Sequence, residues 1–302
     1  MNFEQQLRLA GLHPRDVKPD GKIYRCTTES KPTKRNGWYC LHLDGRGVWG
    51  DWTTGSGEAI GHWQDDQAST RVVDESKVRA QRDKERAYRI KSMREARTFW
   101  ERSRPIVRPH PYLERKALTT QGCAGLRQHD GLLVVPVLQD KWISSVQTIT
   151  DDGVKRFWPG APVKSGAYIL DRSRAAITAI CEGLATGLAI FQSVKNCRVL
   201  VAFDAGNLLP VVQRIKPHGS VVLVADNDHK TAARIGSNPG IVKARNAAEL
   251  IGCGVVWFDG IEGSDAADAL KEWGVGADRR IERAIHAGMR YVDGADNLRS
   301  MK

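Results

Sequence analysis

The chain has 302 residues, 41% hydrophobic and 27% charged, enough for one large core or two modest ones beside a small terminal module. Its 46 Lys and Arg against 35 Asp and Glu leave a net charge of +11, which suits a polyanionic partner because each cation set against a phosphate releases condensed counterions. Charge alone is equally consistent with a merely basic, solvated surface. No Cys-x-x-Cys pair occurs among the six scattered cysteines, so neither a zinc ribbon nor a disulfide framework is supported. No apolar run nears the ~18 residues of a membrane span, and MNFEQQLRLAGLHPRD lacks the apolar stretch of a secretory signal, so the expectation is a cytoplasmic protein without a membrane partner.

Residues 1–68 are rich in turns and tryptophan. Short runs such as Lys22–Cys26 and Trp38–Leu43, punctuated by Asp-Gly and Asn-Gly, predict a small antiparallel β-module. Residues 69–104 predict a basic helical linker free of glycine and proline: from Arg71 to Arg104 stand twelve Lys or Arg and six Asp or Glu. Within it Ile90, Met93, Arg97 and Trp100 fall at helical spacing and are expected to face a core. Residues 105–173 carry two β-rich runs around a Gln-Asp-Lys turn and a further turn-strand-turn segment. From 174 to 274 the rhythm alternates: AAITAICEG, RVLVAFDAG, SVVLVADND and CGVVWFDG are apolar runs, with LATGLAIFQSV, LLPVVQRIK and GIVKARNAAELI between them. The fold class is therefore α/β, a parallel sheet flanked by helices on both faces. Residues 275–302 read as a terminal helix and tail.

Functional groups of an open parallel sheet collect beyond the carboxyl ends of its strands. Those ends carry Glu182, Asp204, Asp226 with Asp228, and Asp259, and the loop GSDAAD adds Asp265 and Asp268. Acids crowded on one edge repel one another unless cations neutralise them, and an all-oxygen set suits Mg2+ or Mn2+. The Asp-x-Asp spacing puts Asp226 and Asp228 on one side of an extended segment. Two metals so held could activate an attacking hydroxyl and stabilise a leaving pyrophosphate. Strand-end aspartates also serve as turn formers and helix caps, and Asp204 and Asp259 are assigned that structural role.

CEGLATGLAI, VAFDAGNL, VVLVADND and GSDAADAL resemble successive motifs of the Toprim family, shared by bacterial-type primases, topoisomerases and some nucleases. The resemblance implies Glu182 as general acid/base or metal-site member, Asp226 and Asp228 as metal ligands, and Asp265 and Asp268 as further ligands. It departs from the pattern at Thr186, where some primases carry an acid, and at Asp265-Ala-Ala-Asp268, where an asparagine often precedes the last acid. HPYLERKAL, LLVVPVLQD, SSVQTITDDGVKRFWPGA and NPGIVKARNAAE resemble the DNA primases of phages, plasmids and integrated mobile elements, over about Pro109 to Trp273. In those enzymes a basic subdomain ahead of the Toprim domain guides template and contacts nucleotide phosphates; Arg115, Lys116, Lys155, Arg156 and Lys164 are its candidates here. Asn238, Gly240 and Lys243 are candidates for the same pocket, or a plain helix start with a solvated lysine.

The N-terminal module holds the place of a primase zinc domain, but Cys26, Cys40, His42 and His62 do not make a familiar tetrahedral pattern, which argues against zinc. Lys34, Arg35, Trp38 and Trp52 are candidates for holding single-stranded DNA, since aromatic faces between cations stack on bases; such aromatics equally build the core of a small module. The expected function is synthesis of short RNA primers on single-stranded DNA from ribonucleoside triphosphates. A Gly-x4-Gly-Lys-Ser/Thr loop is absent, so any helicase is expected on a separate chain, or on another part of a longer protein to which this sequence belongs. The competing readings are a Toprim nuclease using the same acids and a decayed single-strand-binding replication adaptor.

Overall fold

A computed structural model describes residues 1–52, 60–64, 75–119, 123, 125–172 and 174–292. Contacts divide the chain after Arg86 into two compact units. The first is the expected β-module. Helix α1 (Phe3–Leu9) opens it, capped reciprocally by Asn2 and Gln5. Strands β1 (Leu12–His13), β2 (Tyr24–Thr28), β3 (Gly37–Leu41), β4 (Arg46–Asp51) and β5 (Gly61–Gln64) follow as an antiparallel meander in sequence order. Phe3 plugs its open face, with ring centroids 6.0 Å from Trp49 and 5.4 Å from Trp63. Gly47 makes room for that ring, since a Cβ there would strike it.

Helix α2 (Glu75–Arg102) contains the division between the units. Its packed face is the expected one only in part: Trp100 is buried and Met93 half-buried as expected, but the face is turned toward Ser92 and Ala96 rather than Ile90 and Arg97. Ile90 is 40% exposed and Arg97 points outward to bond Glu101 and lie over Trp142, whereas Ser92, Ala96 and Trp100 are buried. Both sets share helical spacing; the smaller side chains allow the helix to approach Val134, Val146 and Ala161 closely.

The second unit then builds two sheets. Strands β6 (Arg104–Pro105), β7 (Arg127–His129), β8 (Leu132–Gln139), β9 (Trp142–Ile149) and β10 (Lys155–Phe157) form an antiparallel sheet, ordered β10-β9-β8-β7-β6, with helix α3 (Pro111–Arg115) in the connection before β7. The sheet that follows comprises β11 (Tyr168–Leu170), β12 (Ile177–Cys181), β13 (Cys197–Val201), β14 (Gly219–Val224), β15 (Gly254–Val256) and β16 (Arg290–Val292). Its helices are α4 (Leu184–Ser193), α5 (Leu208–Ile215), α6 (His229–Ile235), α7 (Pro239–Ile251), α8 (Ala266–Trp273) and α9 (Ala277–Gly288).

Strands β12 to β15 pair in parallel in the order β13-β12-β14-β15, as their continuous apolar runs require. Two antiparallel additions were not foreseen: β11 edges β13, and β16 pairs with the first half of β14 while β15 pairs with its second half. Residues 277–292, expected as helix and tail, thus return to the sheet, and Ile281 and Ile285 are fully buried with α4 and α8. Helices α5 and α7 pack a separate core on the other face. Among the described residues no helix is long and apolar enough to cross a membrane.

Candidate active site

Strand β12 lies between β13 and β14, with Cys181 level with Val201 on one side and Val224 on the other. The chain leaves β12 toward β13, then crosses back to β14, so consecutive connections diverge at this point. That is where a doubly wound sheet opens a crevice at its carboxyl edge. The next residue after Cys181 is Glu182, and the next acids after β13 and β14 are Asp204 and the Asp226–Asp228 pair. The register alone brings these acids to one edge.

Their environments differ. Burial raises the Glu182 carboxyl from 4.5 to about 7, helped by the charges of Asp228 and Asp204 and opposed by Lys155 and the Ala205 N–H. Asp226 is driven well above the ordinary carboxylate range, first by burial and then by Glu182 and Asp265; a hydrogen bond from the Thr186 hydroxyl, 3.1 Å from Oδ1, pulls the other way. Thr186 is itself buried, so the position where some relatives carry an acid here supplies a neutral donor. Asp228 stands between the loop and α6, half-buried. Asp204, assigned a structural role, does cap the following turn, accepting the Asn207 N–H at 3.0 Å, but its charge also bears on Glu182.

The loop carrying Asp226 and Asp228 is held by the residue between them. Buried Asn227 donates to the Phe258 carbonyl at 3.2 Å and to Asp259 at 2.9 Å, and accepts from Asn238 at 2.8 Å. Asp259 also accepts the Trp257 indole N–H, a structural role throughout. Gly240 lets α7 press against the loop: a Cβ there would collide with the Asp226 carbonyl oxygen and lie 3.3 Å from Asp228 Oδ2. Asn227 and Asn207 are the supports the sequence reading did not single out. Asn207 accepts the Ser165 N–H at 2.6 Å and donates to Gly166 and Ala202, tying the turn after β13 to the segment before β11. Their only signal was an asparagine next to Asp226 and another three residues after Asp204.

The basic candidates separate. Lys155, on β10, reaches Glu182 electrostatically and sits 6.0 Å over Tyr112. Phe157, two residues on, meets Phe203 edge-on at 5.8 Å, and Phe203 takes a positive φ of 73°, an uncommon conformation at a strand end. Arg115 and Arg156 are exposed. Lys164 is exposed and lines a separate hollow with Arg89, Met93, Gln139 and Arg214. Lys243 is half-buried on α7. Lys116 is engaged by protein acids: its ammonium lies 2.6 Å from Asp268 and 3.3 Å from Asp265. Burial would raise the Asp268 carboxyl, but Lys116 and the Ser264 N–H hold it below its ordinary value.

In the N-terminal unit Trp38 is buried and its indole N–H has no hydrogen-bond partner, so that ring presents no face to a base. Trp52 is 49% exposed with the Arg25 guanidinium 5.2 Å from its ring, and Lys34 and Arg35 are exposed. Cys26 is buried, and the Cys40 thiol is 3.7 Å from His42.

Among the described residues no three His, Cys, Asp or Glu side chains close into a ready ligand cage. The donor chemistry nonetheless fits a hard divalent ion: Glu182, Asp226 and Asp228 supply only oxygens, and all three are half-buried against their own repulsion. Mg2+ ordinarily takes one or two carboxylates and keeps waters and phosphate oxygens, and needs no all-protein cage.

Residues 177–276 match the model of the Toprim domain. The chain carries a Toprim domain. It is also similar to DNA primase TraC of Escherichia coli, at 29% identity over 261 residues that cover 77% of this chain and 23% of that protein. A second Escherichia coli DNA primase TraC is 28% identical, covering 83% of this chain and 19% of its own length. The chain therefore spans under a quarter of the length of the curated relatives it matches. Among solved structures, the DnaG primase catalytic domain bound to ssDNA aligns with a TM-score of 0.45 at 14% identity, over 67% of this chain and 83% of that one. The primase fragment of the bacteriophage T7 primase-helicase protein gives 0.42 at 14%, over 59% and 74%.

Proposed function

We propose that the chain makes short RNA primers on single-stranded DNA from ribonucleoside triphosphates, with Mg2+ or Mn2+ held by Glu182, Asp226 and Asp228. The observation that carries this reading is the half-buried, mutually repelling Glu182–Asp226 pair at the switch point of a Toprim sheet, with Lys155 beside it. The similarity to DNA primases supports the choice of reaction.

When bound, the divalent ion supplies positive charge to the phosphates of the incoming nucleotide. The remaining roles belong to the chain. Glu182 acts either as the acid/base that takes the proton of an attacking 3′-hydroxyl or as a metal ligand beside Asp226 and Asp228. Lys155 offers a cation to the triphosphate, and Arg156 and Arg115 extend positive charge along the approach. Asn227, Asn238 and Gly240 keep Asp226 and Asp228 in place. Exposed Lys34, Arg35 and Trp52 are assigned to the template, and a replicative helicase is the partner expected at a fork.

Incorporation of labelled ribonucleotides on a mixed single-stranded template tests this. Glu182→Gln and Asp226→Asn should each remove the products; undiminished synthesis would overturn the assignment. A parallel incubation with metal but no nucleotides tests the nuclease reading, which cleavage of the template would favour.

A further inference from the structure

The acids at this edge of the sheet fall into two sets with different company. Glu182, Asp226 and Asp228 are in no ion pair among the described residues; Asp265 and Asp268 both are, with Lys116. The contact is well sheltered: the side chains of Lys116, Asp265 and Asp268 are 28%, 14% and 22% exposed.

Each of the four carboxylate oxygens in that pair is already used. Asp265 Oδ1 caps α8 by accepting the Asp268 N–H at 2.8 Å, and Asp268 Oδ2 accepts the Ser264 N–H at 3.1 Å. The two left over, Asp265 Oδ2 and Asp268 Oδ1, converge on the Lys116 ammonium at 3.3 and 2.6 Å. The folded-back Asp268 depends on Gly263, because a Cβ there would run into its carboxylate. The lysine is delivered by a tight turn: Lys116 caps α3, and Ala117 takes a positive φ of 55°. Such a conformation is strained for a non-glycine residue and persists only when its surroundings enforce it.

We propose that Lys116 is the built-in counter-ion of Asp265 and Asp268, and that the chain's divalent metal is confined to Glu182, Asp226 and Asp228. This rests on the metal reading of the proposed function and sharpens it. The sequence placed all five acids on metal and Lys116 on nucleotide. The structure assigns two of those acids to the lysine. The ammonium neutralises Asp265 and Asp268 from the chain itself, where a further ion would otherwise be needed, and it clamps the segment before β7 onto the Toprim loop.

Two measurements on the full chain, with Mn2+ alone as the probe, decide it. In the native protein, acylation of Lys116 by a water-soluble amine reagent, read by mass spectrometry, should be slow and unchanged as Mn2+ is raised to saturation. Asp268→Asn should speed it at least about fivefold, by breaking the shorter of its two ion pairs. Mn2+ binding followed by electron paramagnetic resonance should survive Asp268→Asn and vanish in Glu182→Gln, while Lys116→Met should open the vacated pair to one further equivalent. Mn2+-dependent exposure of Lys116, loss of binding in Asp268→Asn, or an unchanged stoichiometry in Lys116→Met would each overturn the proposal. Because Lys116→Met leaves two acids unpaired, the double variant Lys116→Met/Asp268→Asn, which removes that repulsion, should fold and return to the native stoichiometry. Absence of Mn2+ binding in the native protein would instead overturn the trio as the metal site, with Lys116 still judged by its acylation.

Discussion

Removing the negative charge of Glu182 should make the metal-free protein more stable while destroying its activity. Its carboxyl is lifted from 4.5 to about 7 by burial and by Asp228 and Asp204, which corresponds to about 3 kcal/mol. Because the acids titrate together, some of that strain stays with Asp226, and a gain of about 2 kcal/mol is expected from Glu182→Gln at pH 8. For a unit of this size that corresponds to a rise in Tm of roughly 4–8 °C. The direction with pH follows from the folded value lying above the unfolded one. Glu182's favourable contribution is complete below 4.5 and is lost as pH rises through about 7, so the native protein weakens relative to the variant across that window. Scanning calorimetry in chelator at pH 5.5 and pH 8 should therefore show a difference at pH 5.5 that is about half or less of the one at pH 8. Adding Mg2+ should raise the native Tm and leave the variant unmoved. A variant that melts at or below the native protein at pH 8, or by the same margin at both pH values, would refute the reasoning.

Thr186→Val removes the hydroxyl that bonds Asp226 and should cost about 1–2 kcal/mol, seen by denaturant titration, while raising the pH at which primer synthesis begins. Gly240→Ala forces α7 off the Asp226 carbonyl and should cost about 1–3 kcal/mol and cut nucleotide incorporation at least tenfold; near-native values on both counts would show the close approach to be dispensable. Trp100→Ala empties the packed face of α2 and ends the stacking of Arg127, whose guanidinium lies 4.6 Å from the ring, so a loss of about 3–5 kcal/mol is expected from thermal unfolding with the Mn2+ affinity retained. Lys155→Ala should raise the apparent KM for ribonucleotides and flatten its dependence on salt, an effect that a merely structural lysine would not produce.

Much of the arrangement was legible along the chain because its signals are local. Four continuous apolar runs separated by helical stretches could bury themselves only as a parallel sheet covered on both faces. A glutamate or aspartate following each run had to end on the carboxyl edge. What remained hidden depends on partners distant in sequence. Ile90 and Ser92 lie on different faces of α2, and only the surface offered by Val134, Val146 and Ala161 decides which face is buried. β16 reads as a tail until β14 is found to leave half its edge unpaired. Trp38 and Trp52 look alike as residues, yet the β-meander buries one and leaves the other beside Arg25. The acids show the division most clearly. Composition and spacing brought Glu182, Asp226, Asp228, Asp265 and Asp268 to one edge, but charge in a folded protein is settled by neighbours in space. The lysine that claims two of those acids stands about 150 residues away in the chain, at a separation where sequence pattern carries no information about distance.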